Sequence, residues 1–257
     1  MFIRQRLIVG VMIEIKLFKD YDLSGYTLID AFPGIGLVGP MAGSYMIEKL
    51  KMEQIGYIDS DTFPPIAAIH GGVPMFPARL YVDKGYKIVV AISEFVIPAS
   101  SVYLLARELL AFVRKSNISR VISISGMPAA KPSNEVFVTS PDPNVIKKAA
   151  KQGLKAIDAG VVAGVGAVLM TNAYQYKVSS MNILVEVNPQ IMDPKYAELA
   201  ITGLNKIIDI EVDLKDLDAE AKAVEAKIRD MLKKMKESPE HYNKAAEVTG
   251  TGPSMYA

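Results

Sequence analysis

Apolar and polar residues follow one another along the chain in short blocks that predict strands and helices in turn. The stretch MIEIKLF, from Met12 to Phe18, alternates apolar and polar positions, which is typical of a strand exposed on one face. The runs TLIDAF before Pro33 and KIVVAIS before Glu94 are almost wholly apolar and predict buried strands. Residues 98–115 place their apolar side chains at helical spacing. The alternation of strands and helices predicts an α/β fold, a three-layer sandwich with a largely parallel central sheet.

The remaining blocks extend the same pattern as far as residue 210. Further strands are predicted in QIGYID, IAAIH, ARLYV, RVISIS, EVFVTS and SMNILVEVN, and further helices in LVGPMAGSYMIEKLKM, NVIKKAAKQ, GVGAVLMTNAYQ and DPKYAELAITGLNKIIDI. Neither an internal repeat nor a linker interrupts them, so residues 1–210 are predicted to form one domain.

A heptad pattern follows this domain. Apolar residues recur at spacings of three and four, at Leu214, Leu217, Ala221, Val224, Ile228, Met231 and Met235. This spacing predicts an amphipathic or coiled-coil helix over residues 211–236. Such a helix either lies along its own domain or packs on a partner subunit. Residues 237–257 are polar and rich in helix breakers, and they predict a flexible tail.

Composition excludes several classes of protein. The 257 residues include 29 basic and 28 acidic side chains, a net charge of +1, so no broad positive field predicts nucleic-acid binding. Cysteine is absent and only two histidines occur, which excludes thiol chemistry and a histidine-rich metal centre. Glu14 and Lys16 interrupt the apolar N-terminal run, and no stretch is long enough to cross a membrane. We therefore expect a cytoplasmic protein without a cofactor or metal.

A glycine motif supplies the alternative to that expectation. Gly34, Gly36 and Gly39 form GxGxxG between a predicted strand and a predicted helix, and Asp59 lies twenty residues beyond Gly39. This spacing is the dinucleotide-binding fingerprint, in which glycines let the backbone approach pyrophosphate at a helix N-terminus. Prolines flank the motif on both sides, and the strand blocks after it leave no room for a crossover helix. Tight turns and close packing are the other use of such glycines.

Other motifs do not predict catalysis. The segment IHGG at His70 resembles an oxyanion-hole segment, but Ser125 lacks the GxSxG elbow that such an enzyme needs. Glu94 ends the most apolar strand and serves either as a carboxylate in a cleft or as a helix cap. The glycine-rich segment at 160–166 has no lysine, serine or threonine in P-loop register.

The chain ends in Met255, Tyr256 and Ala257, an apolar pair on a polar tail. A flexible tail of some 20 residues spans about 25 Å on average and about 65 Å when extended. A terminal carboxylate, a tyrosine and a methionine together suit a shallow pocket on another protein. The tail therefore predicts a tethered ligand, whose weak binding several copies on one oligomer would strengthen.

Three blocks of the sequence carry a family resemblance. DAFPGIGLVGPMAGSYMIEKL, SGMPA and GVVAGVGAVLM together resemble the archaeal proteasome assembly chaperone family, over most of residues 20–210. The resemblance implies a nucleoside-phosphorylase-like α/β sandwich with a binding role rather than a catalytic one. It also implies that the glycines of FPGIGLVG shape a turn and hold no nucleotide.

The last three residues resemble a second pattern, the hydrophobic-tyrosine-any motif of proteasome activators. Activators with this motif insert their C-termini between neighbouring α-subunits. By this resemblance Met255 is the hydrophobic element, Tyr256 is the tyrosine and Ala257 carries the free carboxylate. The expectation is a homo-oligomer that docks on the α-subunits of the 20S proteasome and acts as an assembly chaperone or as an activator that needs no ATP.

Overall fold

The structure is a computed structural model that describes residues 12–217 and Ala226. The strands are β1 (Ile13–Leu17), β2 (Thr27–Ala31), β3 (Glu53–Ser60), β4 (Ala68–His70), β5 (Val73–Met75), β6 (Ala78–Asp83), β7 (Ile88–Ser93), β8 (Arg120–Pro128), β9 (Val136–Thr139), β10 (Lys155–Ala156) and β11 (Ser179–Val187). The helices are α1 (Val38–Lys49), α2 (Ala99–Lys115), α3 (Pro143–Lys151), α4 (Val165–Tyr176) and α5 (Pro194–Ile208), and a short 3-10 turn, Ile35–Leu37, precedes α1.

Most of the described strands form a nine-stranded sheet in the order β1-β3-β6-β7-β2-β8-β11-β9-β10. Its centre, β7-β2-β8-β11, is parallel. On one side β6, β3 and β1 continue the sheet in antiparallel pairs, and on the other side β9 pairs antiparallel with β11. The α/β prediction is confirmed, with the parallel pairing concentrated in the middle of the sheet.

Two helical layers cover this sheet, one on each face. Alternate residues of a strand point to opposite faces, so Ile29 of β2 packs beneath α1 and α5 while its neighbour Leu28 packs beneath α2 and α4. Val90 and Val89 of β7 divide in the same way. Strands buried on both faces need apolar residues at every position, which accounts for the uninterrupted runs in the sequence.

Helices α3 and α5 begin with the same chemistry. Asp142 and Asp193 accept hydrogen bonds from the backbone two residues ahead, and a proline follows each aspartate at the first helical position. By contrast, α1 and α4 have no side-chain cap, and they begin after Leu37 and Gly164. Of these two, α4 begins at the cleft described below, which its first two residues, Val165 and Gly166, help to line.

The structure places two predicted blocks outside the central layers. IAAIH contributes β4 to a separate two-stranded hairpin with β5. Leu217, from the heptad pattern, is buried against the α1 and α5 side of the core, and Leu214 packs partly against it. Lys49 of α1 also pairs with Asp216, at 2.5 Å between Nζ and Oδ2. The start of the heptad segment therefore lies along its own domain, while the heptad positions from Ala221 onward and the tail lie outside the described residues.

Candidate functional site

A cleft opens at the carboxyl ends of the central strands β2 and β8. The chain leaves β2 towards β3 on one side of the sheet and leaves β8 towards β9 on the other. In open α/β sheets a crevice between two such strands is the usual place for a ligand. This cleft is therefore the part of the described body whose position most favours a binding site.

Three separate segments of the chain line the cleft. They are Asp30 with Phe32–Ile35, then Ile124–Gly126, then Val161 with Ala163–Gly166. Apart from Ile124, which directly precedes the second block, these residues belong to the three sequence blocks DAFPGIGLVG, SGMPA and GVVAGVGAVLM. The blocks that carry the family resemblance thus meet at one place in the fold.

The glycines of the first block serve packing and turn geometry. Gly36 has φ 69°, a left-handed conformation that favours glycine. A Cβ on Gly39 would lie 2.8 Å from the Phe32 carbonyl oxygen, so only glycine lets α1 approach β2 this closely. Gly34 is exposed and has open space around it. The motif thus builds the strand-to-helix turn, as the family resemblance implies.

Asp59 does not join these glycines. It lies on β3, which β6 and β7 separate from β2, a distance of about 14 Å at ordinary strand spacing. Its neighbours are Glu14, opposite it on β1, and Lys16, whose Nζ is 3.8 Å from Asp59 Oδ2. The arrangement of a dinucleotide-binding unit, with the acidic residue beside the glycine turn, is not formed here.

The cleft is also small. Its cavity volume is about 30 Å³, enough for about two water molecules. Pockets that hold drug-sized ligands measure roughly 300–1,000 Å³. A nucleotide would therefore need the surrounding segments to move apart.

A buried carboxyl group, Asp30, lies at the base of the cleft. The side chain is 3% exposed and accepts a hydrogen bond from the Phe32 N–H at 3.2 Å. Burial raises the pKa of Asp30 to about 6, and the nearby Ser123 hydroxyl and the Phe32 N–H, which both favour the carboxylate, offset burial only in part. The group can therefore change charge near neutral pH.

Asp30 belongs to a row of polar residues that crosses the sheet beneath α4. Asp30, Ser123 and Asn182 are opposite one another in the registers of β2, β8 and β11. The Ser123 and Ser180 hydroxyls and both amide atoms of Asn182 are buried without a hydrogen-bond partner of normal geometry. Gly166 lets the first turn of α4 rest directly on Ser123 and Asn182. The sequence prediction missed this row, and the lone acidic residue in the apolar run TLIDAF was its only signal.

A second polar cluster joins the β4–β5 hairpin to the sheet. His70 Nε2 lies 2.6 Å from Glu94 Oε1, and Glu94 also pairs with the guanidinium of Arg79. Arg79, whose side chain is 4% exposed, donates further hydrogen bonds to the Phe76 carbonyl and the Tyr81 hydroxyl. Burial disfavours the charged form of Glu94, but the charge and hydrogen bonds of Arg79 outweigh it and hold its pKa below the usual value.

This cluster does not form a catalytic triad. The His70 ring nitrogen Nε2 faces Glu94 and Arg79, whereas Ser125 lines the separate cleft at the end of β8. Glu94 is thus an ion-pair partner of Arg79 rather than a cap for α2, which begins after Pro98 without a side-chain cap. The cluster fixes the hairpin to the sheet.

Within the residues that the structure describes, no group of three or more metal-ligating side chains comes together, and no helix is long and apolar enough to cross a membrane. Met255, Tyr256 and Ala257 lie outside the described residues.

Comparison with known proteins gives relatives over most of the chain. Protein MJ0106 of Methanocaldococcus jannaschii is 29% identical over 219 residues, which are 84% of this chain and 90% of that protein. PbaA of Pyrococcus furiosus, an archaeal homologue of proteasome-assembly chaperone, superposes with a TM-score of 0.78 at 28% identity, covering 89% of this chain and 100% of PbaA. PbaB of the same organism, an archaeal proteasome activator, shares the fold with a TM-score of 0.72 at 21% identity, over 85% of this chain and 98% of PbaB.

The sequence profile of one family covers the central strands, all the helices that flank them and the cleft. That profile describes the PAC2 family and matches residues 28–232. The match extends over more than half of the chain and agrees with the resemblance to proteasome assembly chaperones read from the three sequence blocks. The chain belongs to the PAC2 family.

Proposed function

We propose that this protein binds the 20S proteasome α-ring through its C-terminal tail and acts as an assembly chaperone or as an activator that needs no ATP. The observation that carries the proposal is the similarity to PbaA, which extends over 100% of that chain. PbaA is described as a homologue of proteasome-assembly chaperone, and PbaB, which shares the fold, as a proteasome activator. Both descriptions concern the same partner.

The chemistry of the tail supports a docking role. Met255 offers a flexible apolar side chain, Tyr256 a ring with a hydroxyl, and Ala257 a carboxylate that can pair with a lysine. Since three residues bind weakly, the proposal includes a homo-oligomer that presents several tails at once. A ring of α-subunits is a partner that offers repeated pockets to such an oligomer.

The described body also favours a binding role over catalysis. The cleft has a cavity volume of about 30 Å³, and its one acidic group, Asp30, is buried and partnered by the Phe32 N–H. His70 and Glu94, the other candidate catalytic groups, tie the β4–β5 hairpin to Arg79. We therefore propose no reaction for this protein.

Deletion of Met255–Ala257 tests the docking proposal. The affinity of the truncated protein for purified archaeal 20S core particle should fall to background, while its thermal unfolding stays that of the full chain. Tyr256→Phe should weaken binding by about 0.5–1.5 kcal/mol per tail, the value of one hydrogen bond. Tyr174→Phe is the matched control, because Tyr174 is 85% exposed on α4 and should leave binding unchanged. Undiminished binding by the truncated protein would exclude the tail as the docking element.

The alternative function is a nucleotide or nucleoside site at Gly34, Gly36 and Gly39 with Asp59. The position of the cleft between β2 and β8 favours it, whereas the small cavity and the distance to Asp59 weigh against it. A bound ligand would raise the thermal unfolding midpoint, and the shift would grow with the logarithm of the ligand concentration above its Kd. The alternative requires such a shift with at least one of NAD, NADP, FAD or a nucleoside, and a flat response to all of them removes it.

A further inference from the structure

The outer edge of the sheet at β1 offers backbone groups for pairing. Within residues 12–217 no strand pairs with β1 on the side away from β3. The Phe18 N–H donates to Ile55 on β3, and the Met12 carbonyl accepts from Ser60, so the backbone groups of even-numbered residues point inward. Since these groups alternate along a strand, the N–H and C=O groups of Ile13, Ile15 and Leu17 point outward.

The sequence of β1 and its flanks is nearly symmetric about Ile15. Reading outward from Ile15 in both directions gives Glu14 and Lys16, then two aliphatic residues, then Met12 and Phe18. Met12 and Phe18 are 61% and 58% exposed, so each leaves a large apolar side chain accessible to solvent at the edge of the sheet. The side chains of Glu14 and Lys16 are also about half exposed, at 45% and 44%. All four share the face of β1 that is opposite to α2.

These features select one antiparallel register with a second copy of the same strand. Outward groups must meet outward groups, so the twofold axis has to pass through one residue of β1 rather than between two. An axis at Glu14 would oppose two glutamates, and an axis at Lys16 would oppose two lysines. Only an axis at Ile15 places Glu14 of each copy opposite Lys16 of the other, and Met12 of each copy opposite Phe18 of the other.

The same register also suits the apolar side chains on the α2 face of β1 and the charged side chains on its opposite face. Ile13 and Leu17 of the two copies would meet on the α2 face, with the two Ile15 side chains at the axis. Glu14 lies opposite Asp59 within one chain, a like-charge pair that Lys16 relieves only in part. In this register Lys16 of the second copy would become a second lysine neighbour of Glu14, and each Lys16 would in turn gain a second glutamate neighbour. Charges on a free edge ordinarily oppose self-pairing, but here their alternating sign permits a single register.

We propose that β1 pairs antiparallel with β1 of a second copy about a twofold axis at Ile15, which joins two sheets into one continuous sheet. This interface would form the homo-oligomer that the proposed function includes. The inference therefore rests on the homo-oligomer of the proposed function. A second copy is the occupant because the charge pattern of the edge complements itself.

Charge reversal tests the register directly. Glu14→Lys leaves two basic residues on this face and Lys16→Glu leaves two acidic ones, so each variant alone should self-associate about tenfold more weakly than the full chain of natural sequence. An equimolar mixture of the two variants should associate again, because each would then oppose the complementary charges. Analytical ultracentrifugation of the full-length proteins, alone and mixed, measures this. If each substitution weakened association only by disturbing its own chain, mixing the two variants would not restore association, because both chains would still be disturbed.

A backbone variant gives a second, independent test. Ile15→Pro removes an outward N–H and no bond to β3, so the variant should fold but lose the association that depends on β1. Circular dichroism shows whether Ile15→Pro folds. If the proline prevents folding, the association of Glu14→Lys is measured instead. Failure of the mixture to associate, or unchanged association of Glu14→Lys, overturns the proposal. If the protein of natural sequence is a monomer that still binds the 20S particle through its tail, only this interface is overturned. If it forms the β1 dimer but does not bind the particle, only the proposed function is overturned.

Discussion

Asp30 and Ser123 lie opposite each other in the register of β2 and β8, and both are buried, with Asp30 at the base of the cleft. Asp30 is the one charged residue of β2, whose five residues are all buried. Its charged form is the one that burial disfavours. The stability of the protein should therefore depend on pH through Asp30.

The sign of this dependence follows from the raised pKa. The unfolded chain releases the Asp30 proton near pH 4, whereas the folded protein holds it until the pKa of about 6. The contribution of Asp30 should thus fall as the pH rises from about 4 to about 6, by about 3 kcal/mol, and stay low above that range. Asp30→Asn should abolish this decline and be the more stable form at pH 7.

Urea unfolding of the wild type and Asp30→Asn between pH 4 and pH 7 measures the difference. Asp20→Asn is the control, because it removes an exposed carboxyl group that lies outside the buried polar row. Parallel profiles for the wild type and Asp30→Asn would show that Asp30 does not titrate as a buried acid.

The glycine turn gives a prediction with its own matched pair. In Gly39→Ala the new Cβ would collide with the Phe32 and Ile124 carbonyl oxygens, at 2.8 and 3.1 Å, and should destabilise the fold by about 1–3 kcal/mol. Gly34→Ala meets open space at an extended φ of −142° and should change stability by less than about 0.5 kcal/mol. Chemical denaturation distinguishes the two. Equal costs would contradict the packing role assigned to Gly39.

The Arg79–Glu94 ion pair should contribute far more to the free energy of unfolding than the contact between His70 and Glu94. Glu94→Gln would leave the buried Arg79 guanidinium without a counter-charge, at a cost on the order of 3 kcal/mol. His70→Gln should cost about 1 kcal/mol or less, because His70 is 36% exposed and lies at the edge of the cluster. Unfolding free energies of both variants test this order, and the reverse order would refute it.

The Arg79–Glu94 pair should also make the folded protein less stable at acidic pH. Because the pKa of Glu94 is lowered in the folded state, its contribution is present above the pKa of an unfolded glutamate and is lost as the pH falls through the lower folded value. This dependence is opposite in sign to that of Asp30. Comparing each variant with the wild type separates the two.

The elements that follow a local pattern could be predicted from the sequence. Helix α2 begins one residue from its predicted start and ends at the predicted Lys115, because its apolar stripe is continuous over 17 residues. β7 coincides with most of KIVVAIS, since a central strand needs apolar residues on both faces. These features depend on neighbours in the sequence alone.

Features that depend on distant pairing could not be predicted in this way. The glycine turn and Asp59 have fingerprint spacing, but β6 and β7 insert between their strands because of pairings made later in the chain. The row of Asp30, Ser123 and Asn182 arises only from the register of three separate strands. For the same reason the three family blocks, well separated in sequence, showed no sign of meeting at one cleft.

Comigration with the proteasome or its α-subunits tests most directly whether the C-terminal tail docks this protein on the α-ring. The full-length protein is mixed with separated archaeal α-subunits or with finished 20S core particle and resolved on a native gel, with the protein lacking Met255–Ala257 as the control. The full chain should migrate with α-subunits if it assists assembly, or with the core particle if it activates, and the truncated chain should migrate alone. If the full chain migrates alone both in the mixture with α-subunits and in the mixture with core particle, docking on the α-ring is contradicted.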